Sequence, residues 1–399
     1  MNLFINPVFW LTAIVVFVLL SFDIPRRRTL RFGIVNTGAL IILLGGEIAI
    51  WAITLTLLTW VVLYAMNHWL SDEHNKKQAV FGTGAIIFFT AIFLLHKINL
   101  EGAIVLTWLT QLFPWSRPDI ILPLLATLSF SYVYLRCIDL IISVIWKKKR
   151  LLDPLCLIGY IIPFHMLLAG PVNVYQEHLA IDEENQCTRN FDYYLSALND
   201  ITTGLFYKLV LAEGLRIYFY GMNTPLAVST WADSAFLIIY MFFDFAGYSR
   251  VAQGLGKFYG IPTPQNFSNP FLSKSVTELW TRWHISLGDF VRRNLFIPIQ
   301  LNLVRSFGLK WAPFTNALTL ILSFGFVGLW HRISLNYLLW GITMGVTLAI
   351  EKSIRDRFLR QNPNPGTALT LITRILGPVY VFIIFTTTIF FVADELLGK

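Results

Sequence analysis

Charge is what this sequence has least of. Asp, Glu, Lys and Arg make up only 14% of its 399 residues, against about a quarter in a soluble domain, and that scarcity excludes an ordinary soluble core. Cysteine is nearly absent too. Cys137, Cys156 and Cys187 show no CxxC spacing, which argues against a disulfide framework and against a zinc site. Common catalytic signatures are also missing. There is no GxSxG elbow and no HExxH helix, so a serine hydrolase or a zinc protease has no support. GLGKF at 254–258 looks like part of a phosphate loop, but it lacks both the earlier glycine and the Ser or Thr after the lysine that such a loop needs.

What the chain does have is apolar length. Hydrophobic residues make up 56% of it, in long uncharged runs such as 5–22, 80–95 and 313–331, near the roughly 20 residues of a spanning helix. The expected fold is therefore all-α, a polytopic protein of the inner membrane with about ten to twelve membrane helices. The net charge of +8 sits in short blocks between apolar runs, PRRRTLR at 25–31 and KKKR at 147–150. Cytoplasmic loops collect positive charge in this way, so topology accounts for it and no nucleic-acid partner is called for. The first run lacks a basic n-region and a small-residue cleavage site, so it is expected to stay as a helix, with the N-terminus outside the cytoplasm.

Residues 33–66 carry a single charge, Glu47, and as one helix would be about 51 Å long at 1.5 Å per residue. Either Gly45-Gly46 breaks this run or it tilts strongly. Counting it as one crossing, followed by 79–95, 100–114 and 119–146, brings both basic blocks to the cytoplasmic side, so charge parity favours the single crossing. Further apolar segments lie at 151–173, 201–220, 226–247, 313–331, 334–350 and 367–393, with no internal repeat and with an acidic loop around 177–192 expected on the opposite side. Between 248 and 312 the pattern fails, as it would in an amphipathic or re-entrant region whose backbone is satisfied by protein or a wet cavity.

Charges within the spans need partners. Arg136 and Asp139 are three apart, as are Glu213 and Arg216, which places each pair on one helix face as a structural bridge. Lys208 falls off the Glu213 face and calls for a partner on another helix. Among the seven histidines, two stand apart. His331 closes the uncharged run NALTLILSFGFVGLW, and His284 sits in ELWTRWHISL. A histidine at a helix end serves as an interfacial anchor or hydrogen-bonding group as readily as a catalyst.

The stretches FFDFAGYSRVAQGLG (242–256), PQNFSNPFLSKSVTELWTRWHISLGDFVRRNLFIP (264–298) and FVGLWH (326–331) together resemble the membrane-bound O-acyltransferase (MBOAT) family. The resemblance is to its bacterial branch, to which alginate O-acetylases and teichoic-acid D-alanyltransferases belong. It covers about the last 160 residues, and PFHMLLAGPV (163–172) matches an upstream element more loosely. It implies His331 as the principal catalytic residue, a general base for a hydroxyl acceptor. His284 is the second histidine of the same tunnel, with Trp280, Arg282, Trp283 and Trp330 supporting it. Asp244 and Asn266 follow as candidates for tunnel or substrate contact, Asp244 being equally explicable as a paired structural charge.

The same resemblance implies O-acyl transfer across the membrane. No bound cofactor and no metal are implied. The co-substrate is a thioester donor, acyl-CoA or a phosphopantetheine carrier protein, and the acceptor is an extracytoplasmic cell-envelope glycopolymer or its precursor. A partner transferase in the membrane or envelope is compatible with it. One domain over 1–399 is expected, with 242–332 as its catalytic core. The chain departs from the branch in three places: Arg332 replaces the usual glycine after Trp-His, ITMGV (342–346) stands where a second His-Gly pair is usual, and FIPIQLNLVR replaces a glycine-asparagine turn. TPQNFSNPFLS and the missing glycine-asparagine turn lean towards the teichoic-acid type, whereas Arg332 beside the base favours a neutral short acyl group such as acetyl over D-alanyl and puts it marginally ahead. A transporter or flippase would also have many spans and buried charge pairs, but predicts internal repeats. A noncatalytic scaffold would tolerate loss of both histidines.

Overall fold

The computed structural model describes residues 3–21, 27–69, 75–99, 130–147, 149–167, 169–182, 190–221, 228–361, 367–393 and 397. The apolar segment expected at 100–114, the first part of that at 119–146, residues 183–189 of the acidic loop with Cys187, and parts of both basic blocks lie outside them. Within them the fold is all-α, and extended pairing is limited to a bridge between Phe267 and Trp283.

Two compact units emerge. The first comprises residues 1–205 and 248–264. It contains α1 (Pro7–Ser21), α2 (Arg28–Leu44), α3 (Gly46–Trp69), α4 (Asn75–Asn99), α5 (Phe130–Ile145), α6 (Pro154–Ile161), α7 (Tyr175–Ala180) and α8 (Phe191–Leu205). The long apolar run at 33–66 is not one helix. Gly45 adopts φ +82°, a left-handed-side backbone that a Cβ disfavours, and closes α2 by donating its N–H to the Ile41 carbonyl at 3.1 Å. Of the two alternatives for this run, a break at Gly45-Gly46 or a strongly tilted single helix, the structure has the break. The buried charges of α5 are satisfied from other elements. Arg136 donates to the carbonyls of Ile161 (3.0 Å) and Pro171 (3.1 Å), and Asp139 accepts from the Tyr160 hydroxyl (3.1 Å) and the Tyr175 N–H (2.9 Å).

The second unit comprises residues 206–247 and 265–399. A π-helical segment, Phe206–Ala212, leads into α9 (Glu213–Tyr220), where Glu213 and Arg216 form the expected ion pair. Helix α10 (Trp231–Tyr259) gives residues 231–247 to this unit and its remainder to the first. The irregular stretch that follows resolves into short helices: α11 (Val276–Arg282), α12 (Ile285–Val291), a π-helical turn at Arg292–Phe296 and α13 (Ile297–Phe307). Then come three long helices, α14 (Ala312–His331), α15 (Leu335–Gln361) and α16 (Thr367–Phe390). Three described helices are long and apolar enough to cross a bilayer, at 231–259, 309–331 and 373–390, with shorter apolar stretches in α1, α3, α4 and at 154–166.

Helices α14 and α15 form the tightest pair, and glycine is the reason. A Cβ placed on Gly328 would sit 2.1 Å from the Tyr337 carbonyl oxygen, one on Gly341 2.2 Å from that of Phe324, and one on Gly345 2.6 Å from the Cα of Ile321. Small residues at such spacing let two backbones touch in an environment where no hydrophobic drive brings helices together. The register they set is antiparallel, with the His331 end of α14 level with the start of α15.

Candidate active site

The site is built on the broken helix between α11 and α12. Ser275 caps α11, its side chain accepting from the Glu278 N–H at 3.0 Å, in the S-x-x-E pattern of a capping box. The first-turn amides of Val276 and Thr277 are held by Glu351 of α15, whose carboxylate accepts from them at 2.7 and 3.0 Å and from the Thr277 hydroxyl at 2.7 Å. This carboxylate locks α11 to α15. Nothing local in the sequence pointed to it, although an ionisable group at the end of an apolar run was a usable signal.

After about two turns α11 stops. Trp283 is extended, and His284 takes φ 49° and ψ 49°, the left-handed region, before α12 begins. For a residue with a Cβ that conformation costs roughly 1–2 kcal/mol, so something must hold it. Asn266 does so from both its backbone and its side chain. Its carbonyl accepts the Ile285 N–H at 3.0 Å, and its Oδ1 accepts from the Ser286 hydroxyl at 2.6 Å and the Ser286 N–H at 3.3 Å. Two residues along, Ser268 N–H donates to the Arg282 carbonyl at 3.0 Å, and between them the Phe267 and Trp283 rings meet at right angles with centroids 5.1 Å apart. Asn266 is fully buried, and its place is behind His284 rather than in the cavity wall.

His284 is 5% exposed and packs against Phe245 with ring centroids 4.9 Å apart. Burial, with a smaller contribution from the neighbouring His331 imidazole, lowers its pKa and favours the neutral ring. His331 ends α14 and stays open to the cavity. Trp330 lies between the two histidines, 6.4 Å from the His284 ring and 4.9 Å from that of His331. Trp340 (5.9 Å) and Tyr337 (6.3 Å), both from α15, complete the aromatic wall around His331. Sequence reasoning passed over these two, since aromatic residues in an apolar span carry no local mark of function.

Both histidines line one cavity of about 770 Å³. Trp280, Trp283 and Asp244 also line it. Arg282 and Trp330 do not. Arg282 turns to Glu278 in an ion pair at 2.6 Å, while Trp330 supports the histidines from behind. Asp244 is paired with Lys208 of the π-helical segment, the partner on another helix that Lys208 required. Arg332 caps α14, donating its N–H to the Gly328 carbonyl at 3.1 Å, and is not part of the lining.

The cavity is long. On α14 its lining runs from Asn316 through Leu320 and Val327 to His331, a span of about 22 Å at 1.5 Å per residue. On α15 it runs from Tyr337 to Arg355, and antiparallel packing puts the distant ends of the two helices level. A sphere of about 770 Å³ would be only about 11 Å across, so a lining of about 22 Å makes this an elongated cavity. The histidines stand at one end, and Lys352 and Arg355 stand at the other.

The family model for membrane-bound O-acyltransferases matches residues 146–393, which include the whole second unit's site. Among relatives, a "probable alginate O-acetylase" of Pseudomonas fluorescens is 28% identical over 290 residues, covering 71% of this chain and 55% of that protein. A peptidoglycan O-acetyltransferase of Helicobacter pylori is 29% identical over 195 residues, covering 48% of this chain and 36% of its own length. A teichoic acid D-alanyltransferase of Bacillus subtilis is 27% identical over 235 residues, covering 56% and 58% respectively. The chain spans about half the length of the relatives it matches.

Proposed function

The chain belongs to the membrane-bound O-acyltransferase family, and from that premise we propose that it transfers a short neutral acyl group, acetyl foremost, from a cytoplasmic thioester to a hydroxyl of an extracytoplasmic envelope glycopolymer or its precursor. The observation that carries this reading is the pair of histidines, from α12 and α14, facing one cavity with Trp330 between them.

In the reaction, His331 accepts the acceptor hydroxyl proton as its oxygen bonds to the thioester carbonyl carbon. The tetrahedral intermediate collapses with breakage of the C–S bond, and the imidazolium returns the proton to the departing sulfur. His284, buried and neutral, orients acceptor or donor beside it. Trp280 and Trp283 shape the wall and keep bulk water from the thioester, while Trp330, Asn266 and Arg282 support from behind.

The acyl group follows from the charges in the wall. A D-alanyl group brings an ammonium, which needs a free carboxylate near the histidines. Asp244, the lining carboxylate on α10, is already neutralised by Lys208, which favours acetyl, whereas Asp289 on α12 also lines the cavity and is the carboxylate a D-alanyl ammonium would use. D-alanyl transfer to a teichoic acid is the second reading, and the Bacillus subtilis relative is the reason to keep it.

Ester-linked groups released by mild base from cells with and without the protein decide between them by mass spectrometry. Loss of acetate in cells lacking the chain, reproduced by His331→Ala at normal protein level, is the expected result. Loss of D-alanine with acetate unchanged would replace acetyl by D-alanyl. Loss of neither would return the chain to the transporter reading, and full acylation by His331→Ala would remove that residue from the chemistry.

A further inference from the structure

We propose that the indole N–H of Trp340 is the oxyanion donor of this site, bonding the thioester carbonyl oxygen while the acceptor hydroxyl, held on His331, attacks the carbonyl carbon. The proposal rests on the acyl-transfer reading and adds a catalytic residue to it.

The charge comes first. When the hydroxyl oxygen bonds to the carbonyl carbon, one electron pair of the C=O bond moves onto its oxygen, and that pair re-forms the carbonyl as the C–S bond breaks. The proton passes from the hydroxyl to His331 and on to the sulfur, so the base leaves the negative oxygen unattended. Donors aimed at that oxygen are usually the largest single contribution to catalysis of acyl transfer. The wall around His331 is aromatic, and the Arg332 N–H beside it is already used on the Gly328 carbonyl.

Trp340 supplies a donor from that wall. It lines the cavity at 6% exposure, and its Nε1 is buried with no hydrogen-bond partner among the described residues. Buried donors in that state are rare and cost stability, so each calls for a reason. Ser323 and Trp280 also line the cavity with an unpartnered polar atom. Ser323, however, lies eight residues before His331 on α14, about 12 Å along the helix. Trp280 packs on Phe324, Trp340 and Phe385, and on neither histidine. Trp340 meets the base itself, its ring centre 5.9 Å from that of His331 and the two planes at 77°.

That spacing suits one acyl carbonyl. A carbonyl carbon about 3–3.5 Å from the attacking oxygen carries its own oxygen about 1.2 Å further on, within reach of an indole N–H on the adjoining ring. The ring is also held in advance. Gly341, the next residue, is pressed so closely on the Phe324 carbonyl that a Cβ would lie 2.2 Å from its oxygen, and Tyr337 packs on the indole one turn earlier at 6.3 Å. Stabilising an oxyanion requires a donor fixed before the charge appears. Indole is a donor only, so Trp340 serves the charge and leaves proton transfer to His331.

The test removes the N–H and keeps the ring. Trp340→benzothienylalanine, which has sulfur in place of the N–H, is made in the full chain beside Trp340→Phe, with Trp311→benzothienylalanine, at an exposed ring outside the cavity, as control. In membranes supplied with acetyl-CoA or acetyl-phosphopantetheine, the isostere at 340 should lower kcat for ester-linked acetate about 10²–10³-fold and leave KM within about twofold. Its thermal midpoint should be unchanged or raised, and the control should match the wild type. Calorimetry in zwitterionic nanodiscs reads binding apart from turnover. The wild type should hold trifluoroacetonyl-CoA, whose hydrated carbonyl carries the tetrahedral oxygens, at least about 10²-fold more tightly than acetonyl-CoA. The isostere at 340 should cut that preference at least about tenfold. A packing role predicts neither change. An undiminished kcat, an undiminished preference, or no preference in the wild type would overturn the assignment while leaving acyl transfer standing. A loss confined to Tyr337→Phe would give the oxygen to the phenol and overturn it equally. Absence of acetate transfer by the wild type from either donor would sink the transferase reading, and the assignment with it.

Discussion

Replacing Asn266 by Ala removes the group that keeps His284 in a backbone conformation it would otherwise leave. The side chain's Oδ1 accepts from the Ser286 hydroxyl and the Ser286 N–H, both buried. Losing these two bonds costs about 0.5–1.5 kcal/mol each, and the Asn266 carbonyl bond to Ile285 remains, so a net loss of about 1–3 kcal/mol is expected. Thermal unfolding in detergent would register that loss, and Asn266→Ala with Ser286→Ala should recover part of it by removing the donor hydroxyl. Activity gives the sharper measurement. Freed from its brace, the His284 backbone relaxes out of the left-handed region and the imidazole moves; a displacement of about 1 Å in an active site costs on the order of 10²-fold in rate. If Asn266 matters to turnover only through His284, then in a His284→Ala background the further change Asn266→Ala should lower the rate no more. A double-mutant cycle measures this, and an additive result, with the two losses multiplying, would refute the reasoning.

Other substitutions probe the scaffold around this turn. Gly341→Ala should destabilise by about 1–3 kcal/mol or more, since its Cβ meets the Phe324 carbonyl oxygen, a backbone atom that cannot rotate away; Gly214→Ala, where nothing lies within 4 Å, should be neutral or slightly stabilising, and thermal midpoints of the two variants compare them directly. Asp244→Asn should strand the Lys208 ammonium, whose side chain is 15% exposed, at a cost of about 1–3 kcal/mol that a second change Lys208→Gln restores, read by unfolding and by acyl transfer.

The motif residues of the site were readable because each sits beside a visible interruption: His284 where the apolar pattern fails, His331 where an uncharged run ends. The demand that Lys208 find a partner on another helix followed from its position five residues before Glu213, and Asp244 meets it. What could not be read was long-range. Glu351 lies 75 residues from the Val276 amide it accepts from, and Tyr337 and Trp340 acquire meaning only once the α14–α15 hairpin folds them back on His331. The helix break at 45 was half legible. Gly45-Gly46 offered it beside a strongly tilted single helix, and the length of the run alone did not choose between the two. The glycine pair acts on the backbone directly, and Gly45 takes the positive φ that ends α2.

The left-handed backbone of His284 is the plainest instance of a local rule overridden from a distance. Left-handed positions are normally filled by Gly or Asn, and a histidine there contradicts its own propensity. The contradiction is resolved by Asn266, eighteen residues upstream, and by the Phe267–Trp283 pairing beside it. Such strain persists where surrounding structure over-determines it, and it tends to gather at functional sites. The consequence is an ordering of roles. Glu351 fixes α11, α11 and Asn266 fix the turn, and the turn aims a neutral imidazole into the cavity; the α14–α15 hairpin brings His331 to the same place by an independent route. Two histidines delivered by separate scaffolds to one cavity are hard to explain as interfacial anchors, since an anchor gains nothing from being held in a strained conformation behind an aromatic wall.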